Sequence, residues 1–422
     1  MTPKLGIIAD DFTGAILVAG MLETAGVSAP VAFSSQGVSA SLESGVLILA
    51  TRTRVCLVEE ALATIREGAA ALRAAGCSSI AYKACASFDS TATGNIGPAA
   101  RFLSGEAGGR SVLMSAGFPR YNVSVHQGYL FYRGRLLSES VKRYDPLTPM
   151  EDPDLARFLS LQIGSDVALL PHSILRHGLE VTTEAWRSAT TDGVAYVLAD
   201  TSDDGDVEVT ADLAVATDAV VVASDPVIVG VGLRLAQARR ALPPPISLPD
   251  GPGAVLVGSV GPTALAQVAR FAQDHPLLTI DPADTREEEA IIASALDWAA
   301  PRIGAQPFCI ASMGEEAAVA RAQAALGVLG AARRAERLMG GIARGLQERG
   351  VRRLVVSGGE TSGAVVAALG LERVRVLPEG PLGSGFCVAE QPVRMGLFLK
   401  SGKIGEDDIL LGGLDALDPT LS

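Results

Sequence analysis

Short apolar runs punctuate the chain, each followed by a longer stretch whose apolar positions recur at helical spacing. Leu5–Ala9, Val46–Ala50, Ser79–Tyr82, Ser111–Ser115, Val194–Ala199 and Ala219–Ala223 read as strands. Their apolarity is continuous rather than alternating, which predicts a parallel sheet covered on both faces. Gly14–Thr24, Val58–Ala75 and Ile96–Leu103 read as helices between them. Gln127 to Leu137 breaks the rhythm, and Tyr129, Phe131 and Gly134-Arg135 predict a hairpin there. Residues 241–253 carry five prolines and two glycines and predict a stiff linker. The rhythm then restarts, with strands Ala254–Val257, Leu277–Ile280, Pro307–Ala311, Arg353–Val356 and Arg373–Val376. Helices Thr263–Asp274, Glu287–Ala299 and Ser362–Leu369 alternate with them, and one long helix is expected from Ala324 to Glu348. The expected fold is α/β: two domains with mainly parallel sheets flanked by helices, 1–240 and 254–422, sharing an active-site cleft.

Composition narrows the function classes. The 422 residues hold 47 acidic and 35 basic side chains, a formal charge of −12, and 48% are hydrophobic. Such a chain buries a large core, so a disordered tail is excluded. The acidic balance argues against non-specific nucleic-acid binding and against an anionic membrane surface. No uncharged apolar run reaches the roughly 18 residues of a membrane helix. The nearest, around 218–233, is interrupted by Asp218, Asp225 and Pro226. The N-terminus lacks a signal-peptide pattern, and Cys56, Cys77, Cys85, Cys309 and Cys387 form no CxxC pair, so a reduced, cytoplasmic setting is expected. His126, His172, His177 and His275 are scattered without cysteine neighbours, which disfavours zinc.

Chemistry gathers at strand-to-helix junctions, where parallel sheets present helix N-termini to ligands. In Gly6-Ile-Ile-Ala-Asp-Asp-Phe-Thr-Gly-Ala15, the adjacent carboxylates Asp10 and Asp11 end a strand. A helix cap needs only one of them, and the other must be solvated, paired or metal-bound. Residues 82–97 pack Lys83, Asp89, Ser90, Thr91 and Asn95 into one loop, more donors and acceptors than a connection needs. Cys85 lies among them without a sign of thiol activation. Val255-Leu-Val-Gly-Ser-Val-Gly-Pro-Thr-Ala264 and Leu354-Val-Val-Ser-Gly-Gly-Glu-Thr-Ser-Gly363 are glycine-rich turns able to bring backbone amides to a phosphate. Leu399-Lys-Ser-Gly-Lys-Ile-Gly405 adds two lysines. No P-loop and no dinucleotide fingerprint is present.

Taken in order, these junctions, together with Gly117-Phe-Pro119, Gln127-Gly128 and Asp145-Pro-Leu-Thr-Pro-Met150, resemble the four-carbon acid sugar kinase family over nearly the whole chain. Phe88-Asp-Ser-Thr…Gly-Asn-Ile-Gly-Pro98 and Leu136-Leu-Ser-Glu-Ser140 are most similar to its 3-oxo-tetronate branch. The resemblance implies an acid-sugar-binding domain at 1–240, a linker at 241–253 and a nucleotide-binding domain at 254–422. It implies transfer of the ATP γ-phosphate, with Mg²⁺, to the terminal hydroxyl of a small acid sugar. It places Asp10, Asp11, Arg54, Lys83, Asp89, Ser90 and Asn95 around the sugar. Around the nucleotide it places Ser259, Ser357, Gly358, Gly359, Glu360, Thr361, Ser362, Lys400, Ser401 and Gly402. The metal ligands stay unassigned. Two positions depart from the family pattern: Val123 and Thr93 stand where relatives carry arginine. A carboxylate prefers a bidentate guanidinium, so a branched acid such as 3-oxo-isoapionate is an alternative substrate, and Arg120, His126 or Arg133 would compensate.

In this reading Asp11, or else Asp89, orients or deprotonates the hydroxyl, while Lys83 or Lys400 supplies charge to the phosphoryl group. The expected partners are an acid sugar, ATP and, where the chain assembles, a second copy as a homodimer, with neither nucleic acid nor membrane. A non-catalytic sugar-acid binding protein explains the first cluster but leaves the glycine loops idle. A Rossmann dehydrogenase lacks its fingerprint.

Overall fold

The computed structural model describes residues 5–38, 45–145, 147–191, 193, 195–236, 246–312 and 316–420. The chain divides into two compact units, Met1–Leu242 and Pro243–Ser422. Residues 241–245 of the expected linker, and Pro146 of the Asp145–Met150 motif, lie outside the described residues.

The strands of the first unit are β1 (Leu5–Ala9), β2 (Val31–Ala32), β3 (Val46–Ala50), β4 (Ser79–Lys83), β5 (Val112–Ser115), β6 (Val123–His126), β7 (Tyr129–Tyr132), β8 (Arg135–Leu136), β9 (Val167–Leu170), β10 (Tyr196–Ala199) and β11 (Val220–Ala223). Eight form one parallel sheet in the order β2-β3-β1-β4-β11-β5-β10-β9. All five residues of β1 and of β3 are buried, as continuous apolar runs require. The order reverses at β1, which pairs β3 on one side and β4 on the other. At such a switch point the connections leave in opposite directions and open a crevice at the strands' carboxyl ends. Asp10 and Asp11 stand there.

Gln127 to Leu137 is richer than a hairpin. β6, β7 and β8 make a three-stranded antiparallel meander, with Val123 opposite Tyr132. Asp200, fully buried at the end of β10, anchors the meander's tight turn. Its carboxylate accepts the backbone N–H groups of Gln127 (2.6 Å), Gly128 (2.9 Å) and His172 (2.8 Å). Asp200→Ala leaves three donors without that partner. It is expected to lower unfolding stability by about 3 kcal/mol, read as a reduced urea midpoint at unchanged m value.

In the second unit the strands are β12 (Gly253–Val257), β13 (Leu277–Ile280), β14 (Cys309–Ser312), β15 (Arg353–Ser357), β16 (Arg373–Val376), β17 (Phe386–Ala389) and β18 (Met395–Lys400). Their order is β13-β14-β12-β15-β18-β17-β16, parallel from β13 to β18 and antiparallel beyond. A core of Val255, Phe271, Val355, Phe398, Leu414 and their neighbours fills one face. The expected long helix starts four residues later, at Val328, and runs to Glu348, because the chain turns at Gly327 with φ 73°; a separate helix, Glu316–Leu326, precedes it. No helix among the described residues is long and apolar enough to cross a membrane.

Candidate active site

Most charged groups singled out in the first half of the sequence converge on the carboxyl ends of β1, β3 and β4. Asp11 caps the helix Phe12–Thr24: Gly14 N donates to Oδ1 (2.9 Å), and Thr13 Oγ1 donates to Oδ2 (2.9 Å). Asp10 takes the other role the doublet required. It receives the Arg54 guanidinium through Nε (2.8 Å) and Nη2 (2.9 Å), a fork-to-fork pair. Arg54 also reaches Asp11 through Nη1 at 3.0 Å. One guanidinium therefore bridges both carboxylates.

Lys83, the last residue of β4, enters from the other side. Its Nζ lies 3.2 Å from Asp225 and 3.8 Å from Asp11, and the side chain is almost wholly buried. Gly14 is small for this reason, since a Cβ there would collide with Lys83 Nζ. Burial works to raise the Asp11 pKa, but Arg54, Lys83 and the bonds from Thr13 and Gly14 hold it below the usual carboxylate value. Burial works to lower that of Lys83, and Asp225 and Asp11 override it and push it up. For Asp225 burial wins, and its carboxyl rises above the usual value despite Lys83. The sequence mentions Asp225 only as a break in an apolar run. The signal was available, since Ala223-Ser-Asp-Pro226 ends a strand and opens a helix as Ala9-Asp-Asp-Phe12 does.

The second cluster adjoins the first. Asn95 Nδ2 donates to the carbonyls of Thr53 (2.7 Å) and Cys56 (3.1 Å), tying its helix start to the Arg54 loop. Its Oδ1 is buried without a hydrogen-bond partner. Ser90 Oγ accepts from Gln162 Nε2 at 3.1 Å. Phe88 holds a φ of 49°, costly for a bulky side chain, with its ring fully buried. The residue it delivers is Asp89, whose two oxygens both face Lys142 Nζ at 2.5 Å, with Ser87 Oγ on Oδ1 at 2.7 Å. Lys142 escaped sequence reasoning. It sits on a short 3₁₀ turn, Val141–Tyr144, next to a second basic residue, Arg143. Cys85 lies within electrostatic reach of Asp89, Arg54, Lys142 and Asp10, and burial, with Asp89 next, raises its thiol pKa. It is unactivated, as expected.

The side chains expected to compensate for the missing arginines lie at the surface, while most of the cluster is buried. Arg120, His126 and Arg133 are exposed, His126 bonding Ser202 Oγ at 2.9 Å. Val123 is buried and Thr93 exposed. Elsewhere in this unit, His172, Asp203 and Asp206 bring ligand atoms within 4.8 Å of one another. Their oxygens already serve the fold, since Asp203 caps Asp206 N, and Asp206 accepts from Ser202 N and pairs with His172 Nδ1.

In the second unit three loops lie side by side, because Val257, Ser357 and Lys400 are in register at the ends of adjacent parallel strands. Gly258 N bonds Ser357 O (3.0 Å), and Gly358 N bonds Lys400 O (2.9 Å). Gly358 has φ 122°, open only to glycine at low cost, and starts the helix Gly359–Ala368. Ser259, Thr361 and Gly402 converge: a Cβ on Gly258 would strike Thr361 Oγ1, and one on Gly402 would strike Ser259 Oγ. Ser362 Oγ turns back to Gly358 O (2.8 Å). Beneath them Lys400 is buried, with Nζ donating to Gln267 Oε1 (2.9 Å), Ser401 O (2.9 Å) and Ser357 Oγ (3.2 Å). All three acceptors are neutral. Among the described residues no carboxylate pairs with it, and burial alone lowers its pKa to about 8. A cation left without an anion at the mouth of glycine-rich loops is chemistry suited to a phosphate.

The chain is an α/β protein of two units, each with a cluster of polar groups at the carboxyl ends of its parallel strands. Residues 5–231 match the model of a sugar-binding N-terminal domain, and residues 254–410 that of a nucleotide-binding C-terminal domain. The chain belongs to the four-carbon acid sugar kinase family. It is 35% identical over 422 residues to a 3-oxo-tetronate kinase of Burkholderia multivorans, covering 99% of this chain and 98% of that one. To the enzyme of that name from Methylobacterium radiotolerans it is 36% identical over 430 residues, covering 99% and 100%. Among solved structures it resembles a Salmonella typhimurium LT2 protein provisionally described as a tRNA synthase. That match has a TM-score of 0.81 and 28% identity, covering 97% of this chain and 98% of that one. A Haemophilus influenzae protein matches with a TM-score of 0.72 and 26% identity over the same shares.

Proposed function

We propose that the protein is an ATP-dependent kinase that phosphorylates the terminal hydroxyl of a small acid sugar, a 3-oxo-tetronate or a close relative. The observation that carries this reading is Lys400, a buried amine held by neutral acceptors at the junction of three glycine-bearing loops. A binding protein without catalysis gives that amine no role. Backbone amides around Gly358 and Gly359, the hydroxyls of Ser259, Thr361 and Ser362, and Lys400 would hold the nucleotide phosphates. Mg²⁺ bound with ATP would neutralise charge on the transferring group.

In the first unit, Arg54 and Lys83 keep Asp11 ionised, and Asp11 orients the sugar hydroxyl for attack. Its lowered pKa makes it a weak proton acceptor, so orientation is its larger contribution. Asp10 serves to fix Arg54. An enzyme consuming ATP in this way works in the cytoplasm. The test is ADP release by purified protein with ATP and Mg²⁺ across tetronates, 3-oxo-tetronates and branched acids such as 3-oxo-isoapionate. Turnover on one of these classes is expected. Absence of ADP release on every acid, with no ATP-dependent thermal shift, would overturn the reading.

A further inference from the structure

Gln267 lies on the helix Pro262–Phe271, which starts from the Gly258–Gly261 turn, and its side chain is wholly buried. Its Nε2 donates to three successive backbone carbonyls, those of Ile404 (3.1 Å), Gly405 (2.9 Å) and Glu406 (3.2 Å). Its Oε1 accepts from Lys400 Nζ at 2.9 Å. The chemistry of these partners fixes which way the amide faces. Reversed, it would set its oxygen against three carbonyls and its N–H groups against an ammonium.

Bonds donated at Nε2 draw electron density towards Oε1 and strengthen the bond that Oε1 accepts. Three carbonyl dipoles thus reach the ammonium through one neutral side chain. A glutamate in this place would face three carbonyl oxygens and neutralise the lysine, leaving no charge for an incoming anion. The charged residues of the surrounding segments are Arg270, Glu360, Lys403, Glu406, Asp407 and Asp408. None of them moves the Lys400 pKa, since burial is the sole cause of its lowering.

We propose that Gln267 is the positioning residue of the nucleotide site: it carries the dipoles of residues 404–406 to Lys400 and so keeps the amine protonated and in place, with its charge uncommitted. This rests on the reading of the glycine-bearing loops as a phosphate cradle and names the group that readies their lysine. Gln267 acts through Lys400, and no contact with the nucleotide is assigned to it. The bond from Lys400 to Ser357 Oγ is the longest of its three, at 3.2 Å, and a hydroxyl can turn away, so it is the one a phosphate oxygen replaces.

The test reads the lysine directly. The chain has five lysines, Lys4, Lys83, Lys142, Lys400 and Lys403. Carbon-13 at lysine Cε therefore gives a spectrum simple enough for Lys400→Met to identify the Lys400 resonance. In the wild type that resonance should titrate at about pH 8. In Gln267→Met the midpoint should fall by about one pH unit, a tenfold change in the protonation equilibrium. In Gln267→Glu, where a carboxylate meets the amine, it should rise by about one unit or more. Calorimetric ATP binding should follow. Gln267→Met is expected to weaken it about eightfold at pH 8.5 and less than about twofold at pH 6. Gln267→Glu is expected to weaken it about tenfold at pH 7 and to abolish its decline above pH 8. A residue that only packs the core would lower affinity alike at both pH values and leave the lysine midpoint alone.

Gln267→Met leaves three carbonyls without a donor and could fail to fold, so the wild type supplies a reading of its own. The side-chain amide nitrogen of one glutamine should titrate with the Lys400 midpoint and should stop doing so in Lys400→Met. An unmoved Lys400 midpoint in either folded variant would overturn the proposal. So would equal losses of ATP affinity at pH 6 and pH 8.5 in Gln267→Met, or a wild type in which no glutamine amide follows Lys400. If the titrations move as expected and the wild type binds no ATP, the nucleotide reading fails while the coupling of Gln267 to Lys400 stands.

Discussion

Lys400→Met is expected to reduce kcat/KM for ATP-dependent phosphorylation on the order of 1,000-fold while leaving the protein folded, with a melting temperature equal to or above that of the wild type. The two halves of this result have one cause. The fold buries the amine against Gln267, Ser401 and Ser357 with no counter-ion among the described residues, so it carries a desolvation cost that a methionine of similar length does not. What the fold loses by holding the charge, a bound triphosphate recovers, because the ammonium then meets an anion in a low-dielectric site. A purely structural lysine would give the opposite pattern, with stability falling and activity following it.

The pH dependence separates the cases further. Burial lowers the Lys400 pKa to about 8 from an ordinary 10.5. Below pH 8 the amine is charged and ATP affinity is flat. As pH rises through 8 the free protein loses that proton, and affinity falls. Stability moves the other way over the same window. Between about 8 and 10.5 the unfolded chain binds a proton that the folded one has released, so this group's contribution to stability rises with pH. In Lys400→Met both slopes should vanish. If ATP affinity keeps its decline above pH 8 in the variant, another group is responsible, and Lys400 does not hold phosphate.

The sequence exposed some parts of this molecule and hid others for identifiable reasons. Buried parallel strands are local signals: β1 and β3 end where their apolar runs end, because a strand covered on both faces has no polar position to blur its limits. Antiparallel β17 and β18 were passed over. Phe386–Ala389 and Met395–Lys400 are flanked by glycine and proline that read as loop, and the structure supplies their pairing from β15. The Asp10–Asp11 doublet was legible because two adjacent carboxylates at a buried strand end exceed the needs of a cap.

Lys83 and Arg54 were assigned by likeness to a family, and here they lie against that doublet. Lys142 could not be found in this way. Its significance depends on Asp89, 53 residues away, and no local pattern in Ser140-Val-Lys-Arg-Tyr144 sets Lys142 apart from Arg143. Charge pairing across long separations is the information a periodicity reading lacks. The same limit applies to Asp225 and Lys83, which meet only because β11 and β4 are neighbours in the sheet.

Asp11→Asn is expected to lower kcat by about 100-fold or more with a smaller change in sugar KM, and to cost little stability at acidic pH. Asparagine caps helices nearly as well as aspartate, so the bond from Gly14 N to a side-chain oxygen survives and the helix Phe12–Thr24 still starts in place. What disappears is the negative charge that Arg54 and Lys83 share. Arg54 keeps its two bonds to Asp10, and Lys83 keeps Asp225, so neither cation is stranded.

The wild-type carboxyl is held below 3.8 in the folded state, chiefly by Arg54 and Lys83 acting against burial. Its contribution to stability is therefore complete above the unfolded value and lost as pH falls through the lower folded one. The stability gap between wild type and variant should be widest at neutral pH and should close below about pH 4. Over an assay range of about pH 5 to 9, Asp11 stays ionised and gives the wild-type rate no acid limb of its own. A variant that retains more than about a third of the wild-type kcat would leave Asp11 as a helix cap and counter-ion alone. The hydroxyl would then need another acceptor, and Asp225, whose carboxyl burial raises above its usual value, is the next residue to replace.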